Sequence, residues 1–259
     1  MGVINITPDS FSDGGRFLEC QRAEREATHQ LQCGADVLDL GAQSTRPGAE
    51  EVGAEEECRR LLEPLRAIRR QHPSAVISVD TFHSSVAEAA LNAGADWIND
   101  VSGGTRDPAM LPLMAEAGCP VVLMHSRGNS RTMDDLTDYD DVVHDVLQGL
   151  RARSEAAMAA GVDSDRIIWD PGLGFAKTHE QNLELLKGLD LLCQEPFPLL
   201  VGPSRKRFIG KVLNEPRPKA RLWGTAAVAC RCAQAGAALL RVHDVGPISQ
   251  TLRMAAELW

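Results

Sequence analysis

Short apolar runs alternate with amphipathic stretches along the whole chain. The runs, each typical of a buried strand, are Val3–Ile6, Val37–Leu40, Val76–Val79, Trp97–Ile98, Val121–Met124, Ile167–Trp169, Leu199–Val201 and Leu239–Val242. The stretches between them indicate helices; Cys58, Leu61 and Leu65, for example, share one face at a period of 3.6 residues. Glycines that follow such stretches are typical of helix C-caps, and here they are Gly34, Gly94, Gly118 and Gly161.

The order of these elements predicts the fold class. A strict alternation of strand and helix favours a parallel sheet that is covered by helices on its outside. Eight such units in about 250 residues favour a closed α/β (β/α)8 TIM barrel over an open doubly wound sheet. We see no linker and no change of composition, so we expect a single barrel domain over residues 1–259. Pro64 lies inside the second helical stretch and predicts a kink or a short break there.

Polar side chains stand where each apolar run ends. They are Asn5, Asp39, Asp80, Asn99, Asp100, His125, Ser126, Asp170, Ser204, Arg205, Lys206, Arg241 and His243. Barrel enzymes build their active sites at the carboxyl ends of the strands. A single Asp or Asn at such a place often only caps the next helix. Capping does not explain eight successive strand ends that mix carboxylates, amides and cations, so the pattern predicts an enzyme.

Composition and charge narrow the class of partner. The formal net charge of -9 gives no electrostatic support for nucleic-acid binding. No apolar run approaches the roughly 18 residues that span a membrane, and residues 1–15 lack the basic start of a signal peptide. The seven cysteines are scattered and form no CxxC pair, which indicates reduced thiols. We therefore expect a cytoplasmic protein whose partners are small molecules, with no nucleic acid and no membrane.

Two polar loops carry the most specific motifs. The first is Asn5-Ile6-Thr7-Pro8-Asp9-Ser10-Phe11-Ser12-Asp13-Gly14-Gly15, and the second is Asp39-Leu40-Gly41-Ala42-Gln43-Ser44-Thr45-Arg46-Pro47-Gly48. Both closely resemble the signature loops of the dihydropteroate synthase family. The likeness continues, in order, through Ser78–Thr81, Ile98–Asp100, Leu123–His125, Asp170–Phe175, Gly202–Lys206 and Arg241–Val245. It implies a TIM-barrel enzyme that joins (7,8-dihydropterin-6-yl)methyl diphosphate to p-aminobenzoate, with loss of pyrophosphate.

The resemblance also implies where the two organic groups bind. The residues implied for the pterin are Asp80, Asn99, Asp170 and Lys206. Carboxylate and amide oxygens suit the pterin, because its aminopyrimidinone edge offers several N–H donors. The residues implied for p-aminobenzoate are Thr45, Arg46, Pro47, Phe175 and Ser204, with Lys206 beside them. Phe175 is expected to form an apolar wall for the ring, and an ordinary core phenylalanine is the alternative.

The resemblance further implies a site for the leaving group. The residues implied for the diphosphate are Asn5, Arg241, Val242 and His243, and Asn5 would also hold Mg²⁺. Arg241 and His243 are two residues apart on one strand, so both can point toward the same end of the barrel. Mg²⁺ prefers a few protein oxygens together with water and phosphate oxygens, so a single Asn oxygen is reasonable.

The expected chemistry follows from a good leaving group. Loss of pyrophosphate would leave a cation at the pterin methylene, and the neutral arylamine would then attack it. We expect Asp80, Asp170 and Lys206 to act in catalysis, together with Asp39 or Asp9 as a further carboxylate. Charge placement and exclusion of water then matter more than a strong base. The first two loops are candidates for a lid.

Some features depart from the family pattern, and two alternatives remain. Ala42-Gln43 stands where the family commonly has Gly-Glu, and Met1 directly precedes the first strand, where relatives usually carry more chain. A pterin-dependent methyltransferase barrel would share the pterin residues but would leave the Ser-Thr-Arg-Pro-Gly and Ser-Arg-Lys motifs unexplained. A paralogue that binds pterin without turnover is the second alternative. The family is usually dimeric through its outer helices, which implies a homodimer.

Overall fold

The chain folds as alternating strands and helices in a computed structural model that describes residues 1–6, 15–44, 48 and 51–258. The strands are β1 Gly2–Asn5, β2 Val37–Gly41, β3 Val76–Asp80, β4 Trp97–Asp100, β5 Val121–Met124, β6 Ile167–Asp170, β7 Leu200–Val201 and β8 Leu239–Leu240. The helices are α1 Gly15–Gln32, α2 Ala54–Gln71, α3 Ser84–Asn92, α4 Met110–Ala117, α5 Val142–Ala159, α6 His179–Lys187, α7 Leu189–Cys193, α8 Arg207–Leu213, α9 Leu222–Ala235 and α10 Val245–Ala255.

The strands close into a ring. Strands β1 to β6 form one parallel sheet in chain order, and β7 pairs in parallel with β8. A bridge between Trp169 and Leu199 joins β6 to β7, and a bridge between Gly2 and Val242 joins β8 to β1. The second join includes a hydrogen bond of 3.0 Å from Val242 N to Met1 O. The predicted (β/α)8 barrel is therefore confirmed.

The two faces of the strands have different neighbours. Successive side chains on a strand point to opposite faces, so one set faces the outer helices and the other faces the barrel axis. The outward set forms the large core with the helices; Leu38, Ile77 and Trp169 are fully buried in it. An apolar ring occupies the barrel interior near the amino ends of the strands, with one residue from each strand position: Met1, Val37, Val76, Trp97, Val122, Ile168, Leu200 and Leu239.

Two residues further along the strands the interior becomes polar. We call this part of the barrel the mouth; the residues that define it are Asp39, Asp80, Asn99, Asp170, Lys206 and Arg241. Since side chains alternate, Asp39, Asn99, Asp170 and Arg241 point the same way as the apolar ring residues two positions before them, and Asp80 points the same way as Val76, four positions before it. The mouth therefore lies at the carboxyl ends of the strands, as the sequence predicts.

The helices follow the apolar pattern, with one correction at Pro64. Gly34, Gly94, Gly118 and Gly161 follow helices with φ of 93°, 106°, 61° and 101°, so the predicted role of these glycines is confirmed. The sequence predicts a kink or a short break at Pro64; the short break is wrong, because α2 runs through Pro64 from Ala54 to Gln71, and the kink stays a prediction. Burial of Leu61, Leu65 and Ile68 on one face stabilises α2 by about 1.5–3 kcal/mol for each side chain. That gain exceeds the cost of one proline in a helix, about 3 kcal/mol.

Candidate active site

Arg241 lies at the centre of the mouth and is bound by two buried carboxylates. Its Nε donates to Asp39 Oδ2 at 2.6 Å, and its Nη2 donates to Asp80 Oδ2 at 2.7 Å. Asp39 is 0% exposed and Asp80 is 9% exposed. Burial disfavours the guanidinium charge, but Asp39 and Asp80 outweigh it and hold the pKa of Arg241 above its usual range. These bonds join the ends of β2, β3 and β8.

Asp39 lies below the other groups of the mouth. Its Oδ1 accepts a hydrogen bond from Ser78 Oγ at 2.7 Å, and its Oδ2 lies 3.4 Å from Asn99 Nδ2. With Arg241, these contacts surround a carboxylate that has no solvent-exposed surface. The structure thus brings Asp39 into the predicted cluster, but as a support for Asn99 and Arg241.

The mouth offers buried hydrogen-bond acceptors on three strands. Burial raises the pKa of Asp80 to about 7, although Arg241 opposes the shift. Burial also raises the pKa of Asp170, whose Oδ1 accepts a hydrogen bond of 2.8 Å from Gly172 N. Asn99 Oδ1 is buried without a hydrogen-bond partner among the described residues. A buried acceptor without a partner is costly, so this oxygen suits a ligand that brings an N–H group.

Lys206 and Phe175 contact each other at the side of the mouth. Lys206 is the N-cap residue of α8, and its Nζ lies 4.4 Å from the centre of the Phe175 ring. Burial lowers the pKa of Lys206 to about 8, and Asp170 opposes the shift. The Phe175 side chain is half-buried and lines an open cavity with Gln43 and Ser44. The alternative of an ordinary core phenylalanine therefore does not hold.

Ser204 and His243 form a pair, although the resemblance implies different ligands for them. Ser204 Oγ accepts a hydrogen bond of 3.2 Å from His243 N and lies 2.9 Å from His243 Nδ1. Because Ser204 is only 8% exposed, its hydroxyl group is largely committed to the contact with His243. The pair connects the loop that follows β7 to the loop that follows β8.

Val242 does not face the mouth. Its N–H donates to Met1 O, its carbonyl accepts from Val3 N at 2.9 Å, and its side chain packs with α9 and α10. Both backbone groups are therefore used to close the barrel. The expectation that Val242 binds diphosphate is not supported by this placement, because strand pairing at the closure of the ring takes its polar groups.

The remaining predicted residues lie at the ends of β1 and β2. Asn5 ends β1 and is half-buried. Asp9, Thr45, Arg46 and Pro47 lie outside the described residues. Gln43, which replaces the family's carboxylate, accepts a hydrogen bond from Val52 N through Oε1 at 3.1 Å. An amide oxygen thus connects the two ends of the second loop, a contact that a carboxylate oxygen could also make.

Sequence reasoning assigned no role to three ionisable side chains that the structure buries around the mouth. Lys177 is 6% exposed, His125 is 4% exposed and Glu57 is 1% exposed. Burial lowers the pKa of Lys177 to about 7 and raises the pKa of Glu57 to about 7. His125 was visible as a strand-end residue, and Lys177 follows Phe175 by two positions. Neither His125 nor Lys177 has a local sequence pattern that distinguishes a buried residue from an exposed one.

Comparison with known proteins agrees with this geometry. A family model described as pterin binding enzyme matches residues 1–243. The chain is 49% identical over 259 residues to the dihydropteroate synthase of Synechocystis sp., covering 100% of this chain and 89% of that protein. The Xanthomonas albilineans dihydropteroate synthase solved with 4-aminobenzoic acid superimposes with a TM-score of 0.93 at 42% identity, covering 100% of this chain and 92% of that one. The Xanthomonas albilineans enzyme in complex with 7,8-dihydropteroate superimposes with a TM-score of 0.89 at 40% identity, again covering 100% and 92%.

Proposed function

Since this chain belongs to the family of pterin-binding enzymes, we propose that it acts as a dihydropteroate synthase. The reaction joins (7,8-dihydropterin-6-yl)methyl diphosphate to p-aminobenzoate and gives 7,8-dihydropteroate and pyrophosphate. One structural observation supports this proposal. Three buried acceptor groups, on Asp80, Asn99 and Asp170, converge on a barrel mouth that also holds Lys206 and Arg241.

The acceptors suit the pterin. Its ring edge donates several N–H groups, and the Asn99 Oδ1, which has no hydrogen-bond partner among the described residues, supplies an acceptor for one of them. Asp80 and Asp170 supply carboxylates; Arg241 opposes the rise in the pKa of both, and Lys206 opposes that of Asp170. Asp39 does not touch the pterin in this proposal; it positions Asn99 and Arg241 from below.

Arg241 and His243 would bind the diphosphate. A guanidinium has five N–H donors, and the bonds to Asp39 and Asp80 leave others for a phosphate oxygen. His243 is held by Ser204 through both its backbone N–H and its Nδ1. The last strands of a barrel are a common place for phosphate binding.

We propose Mg²⁺ as the cofactor, and the donor set fits it. Asn5 offers a hard amide oxygen at the end of β1, whereas no cluster of three His, Cys, Asp or Glu side chains occurs in the described part of the chain. Mg²⁺ typically takes few protein ligands and completes its shell with water and phosphate oxygens. When bound, the ion would neutralise charge on the departing diphosphate.

The arylamine would lie against Phe175. The cavity that Phe175 lines with Gln43 and Ser44 of the second loop is open, and Lys206 Nζ lies over the Phe175 ring at 4.4 Å from its centre. Thr45, Arg46 and Pro47 continue that loop, so they stay proposed p-aminobenzoate residues. The first helical turn of α8 follows Lys206 directly, and its backbone N–H groups favour a carboxylate.

The chemistry needs one bond to break and one to form. The bond between the pterin methylene carbon and the diphosphate oxygen breaks, and pyrophosphate leaves with the electron pair. The arylamine nitrogen then forms a bond to that carbon, and its proton passes to solvent. Asp80 and Asp170 would stabilise the cation between these steps, with Asp9 as a further proposed carboxylate.

We also propose a cytoplasmic homodimer. All seven cysteines are free, as expected for a reducing compartment. Helices α8 and α9 expose Val212, Leu213 and Trp223 at 59%, 47% and 77%, an apolar surface that suits a partner. Among the described residues, no helix is long and apolar enough to cross a bilayer. Sedimentation of the full chain would measure the oligomeric state directly.

The reaction itself tests the proposed function. The full chain is incubated with (7,8-dihydropterin-6-yl)methyl diphosphate and Mg²⁺, with and without p-aminobenzoate, and both pyrophosphate and 7,8-dihydropteroate are measured. We expect pyrophosphate release that depends on the arylamine and matches the product formed. Pterin binding without release would contradict the proposal and would favour a paralogue that lacks turnover.

A further inference from the structure

The loop between β6 and α6 carries Phe175 and ends in a buried lysine that the proposed mechanism does not use. Lys177 is 6% exposed and lies in the same loop as Phe175, which begins directly after Asp170. We propose that Lys177 is a positioning residue: its ammonium group fixes this loop and thereby sets the place of the Phe175 ring in the arylamine site. The inference rests on the proposed function.

The contacts of Lys177 explain why it would position rather than bind substrate. Its Nζ donates to Gly172 O at 3.1 Å and to Phe175 O at 3.0 Å, and it lies 3.1 Å from His125 Nδ1. Burial, followed by the charge of Lys177, lowers the pKa of His125 to about 2, so that ring is neutral and its Nδ1 can accept. An ammonium has three N–H donors. All three have partners within the protein, and no donor remains for a ligand.

The backbone of this loop needs such support. Gly172, Gly174 and Ala176 have φ of 67°, 78° and 48°, all in the left-handed region. For Ala176 this conformation is strained, because its Cβ approaches the following carbonyl oxygen. Strained conformations of this kind persist where the surrounding structure holds them. Lys177 binds the loop from one side at the two carbonyls that flank Leu173 and Gly174.

Asn182 of α6 holds the loop from the other side. Its Oδ1 accepts a hydrogen bond from Gly174 N at 2.6 Å, and its Nδ2 donates to Lys177 O at 3.2 Å and to Thr178 O at 2.6 Å. Asn182 is 3% exposed. Two buried side chains thus fix the backbone immediately around Phe175, one by charge and one by a neutral amide. His125 anchors Lys177 to the end of β5.

A change in this loop should affect p-aminobenzoate more than the pterin. Phe175 faces Lys206 and the open cavity, whereas the pterin acceptors Asp80, Asn99 and Asp170 lie on β3, β4 and β6. A loosened loop would displace the Phe175 ring and leave the three strands in place, although Asp170 would lose part of its support from Gly172 N. Loss of the Lys177 contacts should therefore weaken binding of p-aminobenzoate more than binding of the pterin.

A double-mutant cycle between Lys177 and Phe175 tests this inference. Lys177→Met keeps the chain length and removes the donors; Lys187→Met makes the same change at an exposed lysine of α6 and serves as the control. We expect Lys177→Met to raise the KM for p-aminobenzoate at least tenfold while the KM for the pterin diphosphate changes less than threefold. In a Phe175→Ala background the same change should raise the KM for p-aminobenzoate less than twofold, because the two residues act through one contact.

Three results would overturn the inference. They are equal effects on both KM values, an undiminished effect in the Phe175→Ala background, and a Lys177→Met enzyme that behaves like the Lys187→Met control. If Lys177→Met does not fold, Asn182→Ala removes the acceptor of Gly174 N without changing a charge, and the same cycle applies. Failure of the proposed function is distinguishable, because the wild-type protein would then release no pyrophosphate in response to p-aminobenzoate.

Discussion

Ile168 and Asp170 are two residues apart on the same face of β6, yet they belong to opposite ends of the barrel interior. Ile168 is 6% exposed within the apolar ring, and Asp170 is 6% exposed within the mouth. The same alternation repeats in β2, where Val37 precedes Asp39. One strand therefore contributes to stability with one side chain and to the proposed chemistry with the next one on that face.

The two ends differ in what burial does to them. In the apolar ring, burial stabilises the fold by about 25 cal/mol for each Å² of apolar surface removed from water. In the mouth, burial raises the pKa of Asp80 and Asp170 and lowers the pKa of Lys206, so it disfavours charges that the site uses. The rest of the barrel therefore holds the mouth in place, and the buried charges of the mouth lower the stability of the fold.

The largest effect that would separate the two ends is expected at Asp170. Asp170→Asn keeps the volume but removes a carboxylate that would stabilise the substrate cation. We expect kcat/KM to fall about 1,000-fold or more, which corresponds to about 4 kcal/mol of transition-state stabilisation. The midpoint of urea unfolding should stay or rise. Steady-state kinetics and urea titration measure the two quantities on the same preparation.

The control for Asp170 is a carboxylate far from the mouth. Asp190→Asn alters an exposed residue of α7 that pairs with Arg231, and its kcat/KM should match that of the wild type. Near-normal activity of Asp170→Asn would remove Asp170 from the proposed mechanism. A large loss of stability in Asp170→Asn would contradict the difference between the two ends.

The opposite result is expected at Ile168. Ile168→Ala removes three carbons from the apolar ring and should lower the free energy of unfolding by about 2–5 kcal/mol. Ile168→Val should cost about 0.5–1.5 kcal/mol. The kcat/KM of both variants should stay within about threefold of the wild type at a temperature where they are folded. A fall in kcat/KM as large as that of Asp170→Asn would show that the ring also shapes the site.

The effect expected at Glu57 depends on pH and vanishes near pH 4. Burial raises the pKa of Glu57 from an ordinary value of 4.5 to about 7, and Asp80 adds to the shift. The folded state therefore keeps a proton that the unfolded state releases, so stability falls as pH rises between these two values. Glu57→Gln should be more stable than the wild type by up to roughly 3 kcal/mol at pH 8 and equal to it near pH 4.

Thermal or urea unfolding at several pH values measures the Glu57 effect. Glu63→Gln is the control, because Glu63 lies on the same helix α2. A difference between Glu57→Gln and wild type that is independent of pH would show that the acid does not titrate in this range. Burial of acidic side chains would then destabilise the fold less than the comparison between the mouth and the apolar ring implies.

The order and direction of the elements were predictable because they depend on local patterns. The apolar runs predicted every strand to within two residues, and the polar residue after each run marked the carboxyl end of the barrel. The expected break at Pro64 failed because the buried face of α2 outweighs one lost hydrogen bond. Val242 stays a predicted diphosphate residue that its placement does not support, since its backbone N–H and carbonyl are used where the chain after β8 meets β1.

The sequence predicted which residues form the candidate site better than it predicted their hydrogen-bond partners. Asp80, Asn99, Asp170, Lys206 and Arg241 meet at the mouth as predicted from motif and strand position. The enclosure of Asp39 depends on Ser78, Asn99 and Arg241 together, and these come from three different strands. Lys177 was missed because its sequence neighbours do not show that His125, 52 residues earlier, lies beside its Nζ.

The sequence alone predicts which strand residues point inward and where the inward side chains change from apolar to polar, because side-chain direction follows a period of two residues. The family likeness added the identity of the proposed substrates. The contacts of Arg241 with Asp39 and Asp80 arise only in the folded chain, because these residues lie 202 and 161 positions away along the sequence. The folded barrel buries these charged groups and shifts the pKa values of Asp80 and Arg241, since desolvation depends on the whole surrounding barrel and not on a neighbouring stretch of sequence.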